Sequence, residues 1–309
     1  MTAATLASPR IRPALTSLEH PLDILRFVRD QSDKDLPCAL VMITGTDGGA
    51  VRSAGALMAV TKTGVRCGYL SGGCIDADIA LNAQKAIAEH TSLSLRYGRG
   101  SPFTDIRLPC GGGIDLAINP APDIVAVNRV IDTLASRQPA TFTLGGFTAH
   151  YRPKLQLRIA GIGADPIALL QIATASGIDA VLWSQDEDCR ANAANVGSSP
   201  AISLTTPRAL PASHDDAYTA FILMAHDPDW ETPLLRQALS GDAFYIGAVG
   251  SPNTHRIRCE MLRSEGVAET DIARIHGPVG LIPSMRDAST LGVSCLAEII
   301  SCFHQKAAT

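Results

Sequence analysis

A cysteine stands where the apolar, strand-like run Tyr69-Leu70-Ser71 passes through Gly72-Gly73 into a helical pattern at Cys74-Ile75-Asp76. A thiol at a helix N-terminus faces unpaired backbone N–H groups and the positive end of the macrodipole. That setting favours thiolate, the form that attacks electrophiles and binds soft metals. A small buried cysteine after a glycine turn is the plainer alternative. The arrangement recurs at Pro109-Cys110-Gly111-Gly112, where a cysteine beside glycines enters an alternating strand pattern over 114–118. Two glycine-flanked cysteines in one domain make a pair able to meet around one ligand.

Upstream, Gly45-Thr46-Asp47-Gly48-Gly49-Ala50-Val51-Arg52-Ser53-Ala54-Gly55-Ala56 is a glycine-rich loop with one arginine. The backbone at Gly48 and Gly49 permits close approach of a ligand, and Arg52 has the donors for bidentate bonds to phosphate. No Gly-Lys-Ser/Thr ending follows, so it is not a Walker A loop. A solvated crossover loop is the alternative.

In the second half a strand pattern over 155–160 feeds into Gly161-Ile162-Gly163, followed by a helical pattern and an apolar run over 180–183. Strand, glycine turn, helix and strand within about thirty residues is the context that makes G-x-G a dinucleotide fingerprint. The fingerprint is incomplete. Pro166 replaces the third glycine, and Ser184 and Gln185 stand where an acid would hold a ribose. His226-Asp227 closes another buried strand at the edge where such sheets bind ligands, with a turn and helix cap as the alternative. The helix opened by Gly250-Ser251 offers an anion site at its N-terminus, with Arg256 and Arg258 in its first turns.

The elements that must position these residues follow from periodicity. Helices are predicted over 21–30, about 74–90 and 124–136, strands over 38–44, 57–60, 65–70 and 93–97, and a hairpin over 141–151. Pro153 marks a boundary, giving domains 1–152 and 153–309. The second domain reads as strands over 155–160, 180–183, 220–225 and 243–249. Its helices fall over 167–176, 233–239, 253–266 and 289–303, with 275–281 a loop. The expected fold class is α/β: an N-terminal mixed α/β domain, then a Rossmann-like, doubly wound domain with five or six parallel strands.

Length and composition agree with two globular domains. The 309 residues are 46% hydrophobic and 18% charged, with formal net charge -4 and no Lys/Arg run, so no nucleic-acid surface is expected. No window approaches the roughly 18 uninterrupted apolar residues of a membrane span, and residues 1–13 lack the apolar core of a secretory signal. A cytoplasmic protein is expected. Its eight cysteines, Cys38, Cys67, Cys74, Cys110, Cys189, Cys259, Cys295 and Cys302, form no C-x-x-C pair and no zinc spacing, and are expected as reduced thiols.

Taken in order, these motifs, with Tyr245-Ile246-Gly247-Ala248-Val249-Gly250-Ser251 and Pro278-Val279-Gly280-Leu281, resemble the XdhC/CoxI family from about residue 22 to 300. The resemblance implies a two-domain accessory protein for molybdenum hydroxylases of the xanthine dehydrogenase and aldehyde oxidase type. Such a protein binds molybdenum cofactor (molybdopterin, or its cytosine dinucleotide form) and shelters it. It works with a cysteine desulfurase that supplies the sulfido ligand, and delivers the cofactor to the apoenzyme; a homodimer is compatible with the family.

By motif match, Cys74 and Cys110 inherit the cofactor- and metal-binding role, flanked by Gly72, Gly73, Gly111 and Gly112. Arg52 and Gly48 would hold the anionic end, and Gly161 and Gly163 form the Rossmann turn. Departures from the family pattern are Ala54, Pro166, the Ser184-Gln185 pair and Ile282. The alternative function is an NAD(P)-dependent oxidoreductase using the second domain; the incomplete fingerprint counts against it.

Overall fold

The structure, a computed structural model, describes residues 19–49, 52–101, 111–196 and 199–305. The chain divides into two compact units, Met1–Pro153 and Lys154–Thr309.

The first unit is built on one strand buried on both faces. It runs α1 (Pro21–Ser32), β1 (Cys38–Asp47), β2 (Leu57–Thr61), β3 (Arg66–Cys67), α2 (Asp76–Glu89), β4 (Leu93–Gly98), β5 (Gly113–Asn119) and α3 (Ile124–Ala135). A hairpin of β6 (Ala140–Leu144) and β7 (Phe147–Tyr151) closes it. The sheet order is β3-β2-β1-β5-β4, with every neighbouring pair antiparallel. Successive side chains of a strand point to opposite faces. Leu40 and Met42 of β1 accordingly join α1, α3 and the hairpin in one core, while Ala39, Val41 and Ile43 meet α2 in another. His20 caps α1 by accepting from the Leu22 N–H at 3.2 Å, and Pro21 occupies the first helical position, where its missing N–H costs nothing.

The strand expected over 65–70 pairs only at Arg66 and Cys67. Gly68 turns the chain away with φ +82°, where a Cβ would lie 2.8 Å from the Leu57 carbonyl oxygen.

The second unit contains β8 (Gln156–Gly161), α4 (Ala164–Ala175), β9 (Asp179–Ser184), α5 (Glu187–Ala194), β10 (Ile202–Ser203) and β11 (Thr219–Met224). It continues with α6 (Pro228–Leu239), β12 (Tyr245–Ala248), α7 (Pro252–Ser264), α8 (Glu269–Ile272), β13 (Ile275–His276) and α9 (Ala288–Gln305). Its six strands are all parallel in the order β10-β9-β8-β11-β12-β13. Counted within the unit this is 3-2-1-4-5-6, the doubly wound dinucleotide-fold order. Residues of α4, α5 and α9 cover one face, and those of α6, α7 and α8 the other.

Two sequence expectations change here. β13 occupies part of the expected loop over 275–281, because a two-residue strand carries no period. The helix expected from Pro233 begins at Pro228, where Asp227 accepts from the Asp229 N–H at 3.1 Å, so Pro228 is the first-turn proline and Pro233 lies inside the helix. Among the described residues no helix is long and apolar enough to cross a membrane.

Within the second unit Arg158 of β8 is only 3% exposed. Its Nε donates to Asp215 at 2.9 Å, its Nη2 donates to the same carboxylate, and Nη1 donates to Gln237 at 3.2 Å. The guanidinium lies 4.2 Å from the Phe221 ring centroid and 4.8 Å from that of Trp183. Gln237 in turn donates to the Pro211 carbonyl at 2.7 Å. One buried cation thus ties β8, the segment before β11, and α6 together.

Candidate functional site

Antiparallel pairing brings three loops of the first unit to one end of its sheet. Asp47 of β1 and Gly98 of β4 both pair with Gly113 of β5, and the Ile43 N–H donates to Ala56 just ahead of β2. The β1–β2, β3–α2 and β4–β5 connections therefore leave from the same edge. The start of α2 is fixed there by Tyr97 of β4, whose hydroxyl donates to Asp78 and accepts from Asn82 at 3.1 Å. Burial, with the bond to Asp78, pushes the Tyr97 phenol up from its usual range.

Two of the loops touch through backbone. A Cβ on Gly112 would lie 2.7 Å from the Asp47 carbonyl oxygen and 3.2 Å from the Gly49 nitrogen, so only glycine lets Gly48-Gly49 and Gly111-Gly112 approach so closely. Gly73 and Gly111 face the other way: a Cβ on either would meet nothing within 4 Å. Glycine backbone there is open to a ligand.

Cys74 is exposed, but it is not the first residue of the helix. α2 begins at Asp76 with Ile75 as its N-cap, whose N–H donates to Ser71 Oγ at 3.0 Å. The carboxylate of Asp76 turns back into the loop. It accepts from the Leu70 and Ser71 N–H groups at 2.9 and 3.0 Å through one oxygen, and from Gly73 N–H at 2.8 Å through the other. From sequence, unpaired N–H groups here are expected to favour the Cys74 thiolate; three of the loop's N–H groups instead hold the Asp76 carboxylate. Cys110 lies outside the described residues, although Gly111, which follows it, is at the site.

Arg52 reaches the same edge already partnered. Its Nη1 is 2.7 Å from Glu19, its guanidinium stacks 4.2 Å over the Tyr69 ring, and Tyr69 donates to the same carboxylate. The Arg52 hydrogen bond holds the Glu19 carboxyl below its usual range. Arg52 Nε is buried with no hydrogen-bond partner.

Sequence reasoning missed two arginines here. Arg96 faces Asp115 across the β4–β5 pair and donates to both carboxylate oxygens at 2.9 and 2.7 Å. Arg99 follows, its N–H donating to the Gly112 carbonyl at 3.0 Å and its Nη2 to that of Gly111 at 3.3 Å. Asp47 lies 3.5 Å from Arg96 and 3.6 Å from Arg99. The available signal was Gly98-Arg99-Gly100, an arginine between two glycines at a strand end.

In the second unit the Rossmann turn is present and its usual ribose clamp is not. Gly161 is held against β11, where a Cβ would lie 2.3 Å from the Met224 carbonyl oxygen, and Gly163 precedes α4 with φ +83° and open space above it. At the end of β9, Ser184 is fully buried and accepts from the Asp186 N–H, while Asp186 caps α5. The anion site expected at α7 has its cations committed. Arg256 pairs with Glu260 and Asn253, and Arg258 is buried against Glu231 at 2.8 Å and the Val249 carbonyl at 3.0 Å. Asp227 is the α6 cap, and His226 is exposed. Among the described residues no group of three or more His, Cys, Asp or Glu is placed to hold a metal ion.

The XdhC and CoxI family profile matches residues 32–98, and the XdhC Rossmann domain profile residues 157–299. The molybdenum cofactor insertion chaperone PaoD of Escherichia coli (strain K12) is 32% identical over 307 residues, covering 92% of this chain and 89% of that protein. This chain belongs to the XdhC/CoxI family. A probable xanthine dehydrogenase subunit of Bacillus subtilis (strain 168) is 22% identical over 310 residues, covering 84% of this chain and 92% of that protein. The crystal structure of a xanthine dehydrogenase from Bacillus halodurans shares the fold, with TM-score 0.75 at 21% identity over 93% of this chain and 96% of that one. The XdhC/CoxI match over 32–98 contains Gly48, Arg52, Gly72, Gly73, Cys74 and Arg96; Arg99 and the Gly111-Gly112 loop lie just beyond it.

Among the described thiols of this XdhC/CoxI protein, Cys74 alone is exposed. Burial pushes Cys38 up to about 12, Cys67 to about 11 and Cys295 to about 12, and raises Cys189, Cys259 and Cys302 as well. Raised values leave less thiolate at neutral pH, and burial blocks access. Iodoacetamide at pH 8 is expected to alkylate Cys74 at least roughly tenfold faster than Cys38, Cys67 or Cys295. Peptide mapping by mass spectrometry reads the result, and equal labelling of Cys38 would contradict the buried β1.

Proposed function

We propose that this chain binds molybdenum cofactor at the loop end of its N-terminal sheet. It protects the cofactor there, supports its sulfuration with a cysteine desulfurase, and delivers it to an apoenzyme of the xanthine dehydrogenase or aldehyde oxidase type. In this reading the chain has no turnover of its own, and the cofactor is cargo. Cys74 and Cys110 are the soft ligands or guards of the molybdenum and its sulfido group, in keeping with thiolate affinity for such centres. The backbone at Gly48, Gly72, Gly73, Gly111 and Gly112 lines the site, and the arginines of the edge supply positive charge for the phosphate-bearing end.

The observation that carries the proposal is the exposed Cys74 on a glycine loop where two further glycine loops converge. It occurs in a chain 32% identical to a molybdenum cofactor insertion chaperone. The test is purification from a cofactor-replete host, with molybdenum measured by metal analysis and pterin by fluorescence after oxidation. Wild type is expected to carry both, and Cys74→Ala and Cys110→Ala to carry at most roughly a tenth as much. Undiminished pterin in both variants, or neither molybdenum nor pterin in wild type, overturns the reading.

A further inference from the structure

Among the described residues three arginines reach the loop end of the N-terminal sheet, and they differ in what their guanidinium groups are doing. Arg52 is three-quarters buried, paired at 2.7 Å with Glu19 and stacked on Tyr69. Arg96 spends Nη1 on both oxygens of Asp115 and Nε on the Arg99 carbonyl at 2.7 Å. Arg99 has a fixed base and a lightly held, exposed head. Its own N–H and C=O are held by Gly112 and Arg96, while its side chain is 65% exposed.

The head of Arg99 lies between two glycine loops. Its Nη2 donates to the Gly111 carbonyl at 3.3 Å and would sit 4.0 Å from a Cβ on Gly48. Open space covers Gly111 on the side a Cβ would occupy. Its acidic neighbour, Asp47, stands 3.6 Å away, too far for a good hydrogen bond, and is shared with Arg96. A guanidinium has five N–H donors in a planar fork that matches the oxygens of phosphate. Among the described residues, the Arg99 head has only the Gly111 carbonyl and the distant Asp47 as partners, which leaves most of these donors for a ligand.

We infer that Arg99 is the anchor for a phosphate monoester or pyrophosphate group at this site, and that Arg52 is a positioning residue joining the β1–β2 and β3–α2 loops. The inference rests on the reading that a phosphate-bearing pterin binds at this edge. It moves the anion from the arginine that the glycine-rich loop suggested to the one that directly follows β4. Asp47 is then the competitor that an incoming phosphate displaces.

The test is calorimetric titration of inorganic phosphate and inorganic pyrophosphate into the full chain purified from a cofactor-deficient host. Arg99→Gln is expected to weaken the preferred anion at least roughly tenfold, the scale of a charge-assisted bidentate contact. Arg129→Gln, on the exposed face of α3, is the control and is expected to change nothing. Asp47→Asn works in the opposite direction and should tighten anion binding severalfold, a gain that misfolding does not imitate. Arg52→Gln should lower the melting temperature and weaken the anion less than Arg99→Gln does.

A preference for pyrophosphate points to the dinucleotide form of the cargo, and equal affinities point to the monophosphate. The inference is overturned if wild type binds neither anion at millimolar concentration, if Arg99→Gln binds as wild type does, or if folded Arg52→Gln loses more. Failure of the cofactor reading looks different. Arg99-dependent pyrophosphate binding with no pterin in protein from a replete host upholds the anion site and removes the cargo. Pterin retained with Arg99 immaterial does the reverse.

Discussion

Replacing Asp76 with alanine is expected to cost the N-terminal unit roughly 3–5 kcal/mol, since it strands three backbone N–H groups, at about 1–3 kcal/mol for each that stays unsatisfied. The carboxylate is 5% exposed and is the partner that Leu70, Ser71 and Gly73 share. Water re-enters at Gly73, which is exposed, so the sum falls short of three full penalties. For a unit of this size the melting temperature should fall by roughly 6–20 °C. Asp76→Asn keeps one acceptor oxygen and sets an amide N–H₂ against the Gly73 N–H or the Leu70–Ser71 pair, so an intermediate loss is expected. Hydrogen exchange at 70–74 separates local opening of the loop from global unfolding. A melting temperature within 1 °C of wild type, with unchanged exchange, would show that the carboxylate is not what holds the loop.

The second large effect lies in the other unit. Asp215→Ala leaves the Arg158 guanidinium buried among Trp183, Phe221 and Gln237 with no counter-ion. Removing one partner of a buried pair typically costs about 3–5 kcal/mol, because the remaining charge keeps its desolvation penalty and loses its compensation. Replacing both partners is different. Arg158→Met with Asp215→Leu removes both charges at similar volume, and is expected to recover most of the loss despite an unpaired Gln237 oxygen. Urea unfolding of the two single variants and the double variant closes the cycle. A double variant as unstable as the sum of the singles would mean that the pair contributes packing and hydrogen bonds rather than charge compensation.

The parts of this chain that local physics decides were legible. β1 and β11 are uninterrupted apolar runs because both of their faces are covered, and the strand–glycine–helix–strand order around Gly161 carried the doubly wound sheet. Cys74 beside two glycines stood out for the same reason. Arg158 shows where legibility ends. It sits in a run that the sequence reads only as a strand, and its partner Asp215 is 57 residues away in a segment without period. Asp76 shows the same limit at the site. An acid in the first helical turn suits the macrodipole, and nothing local signals that the Leu70–Gly73 segment gives that carboxylate three closer donors. Arg99 lay in plain view between Gly98 and Gly100, but its place beside Gly111 is set by the register of β4 on β5. β10 and β13, at two residues each, exist only because neighbouring strands supply their partners.

Under the proposed function, the paired charges at the loop end also bear on how cargo would leave. Glu19 sits on Arg52, Asp115 on Arg96, Asp47 beside Arg99, and Asp76 in the N–H groups of the Cys74 loop. A phosphate binding at Arg99 as inferred would swap with Asp47, and its departure would let that carboxylate return. Loading and unloading would then connect two neutralised states, with release free of the penalty that a stranded cation would impose. The edge has the electrostatics of a revolving door: each turn that lets a guest out brings a resident acid back into its place.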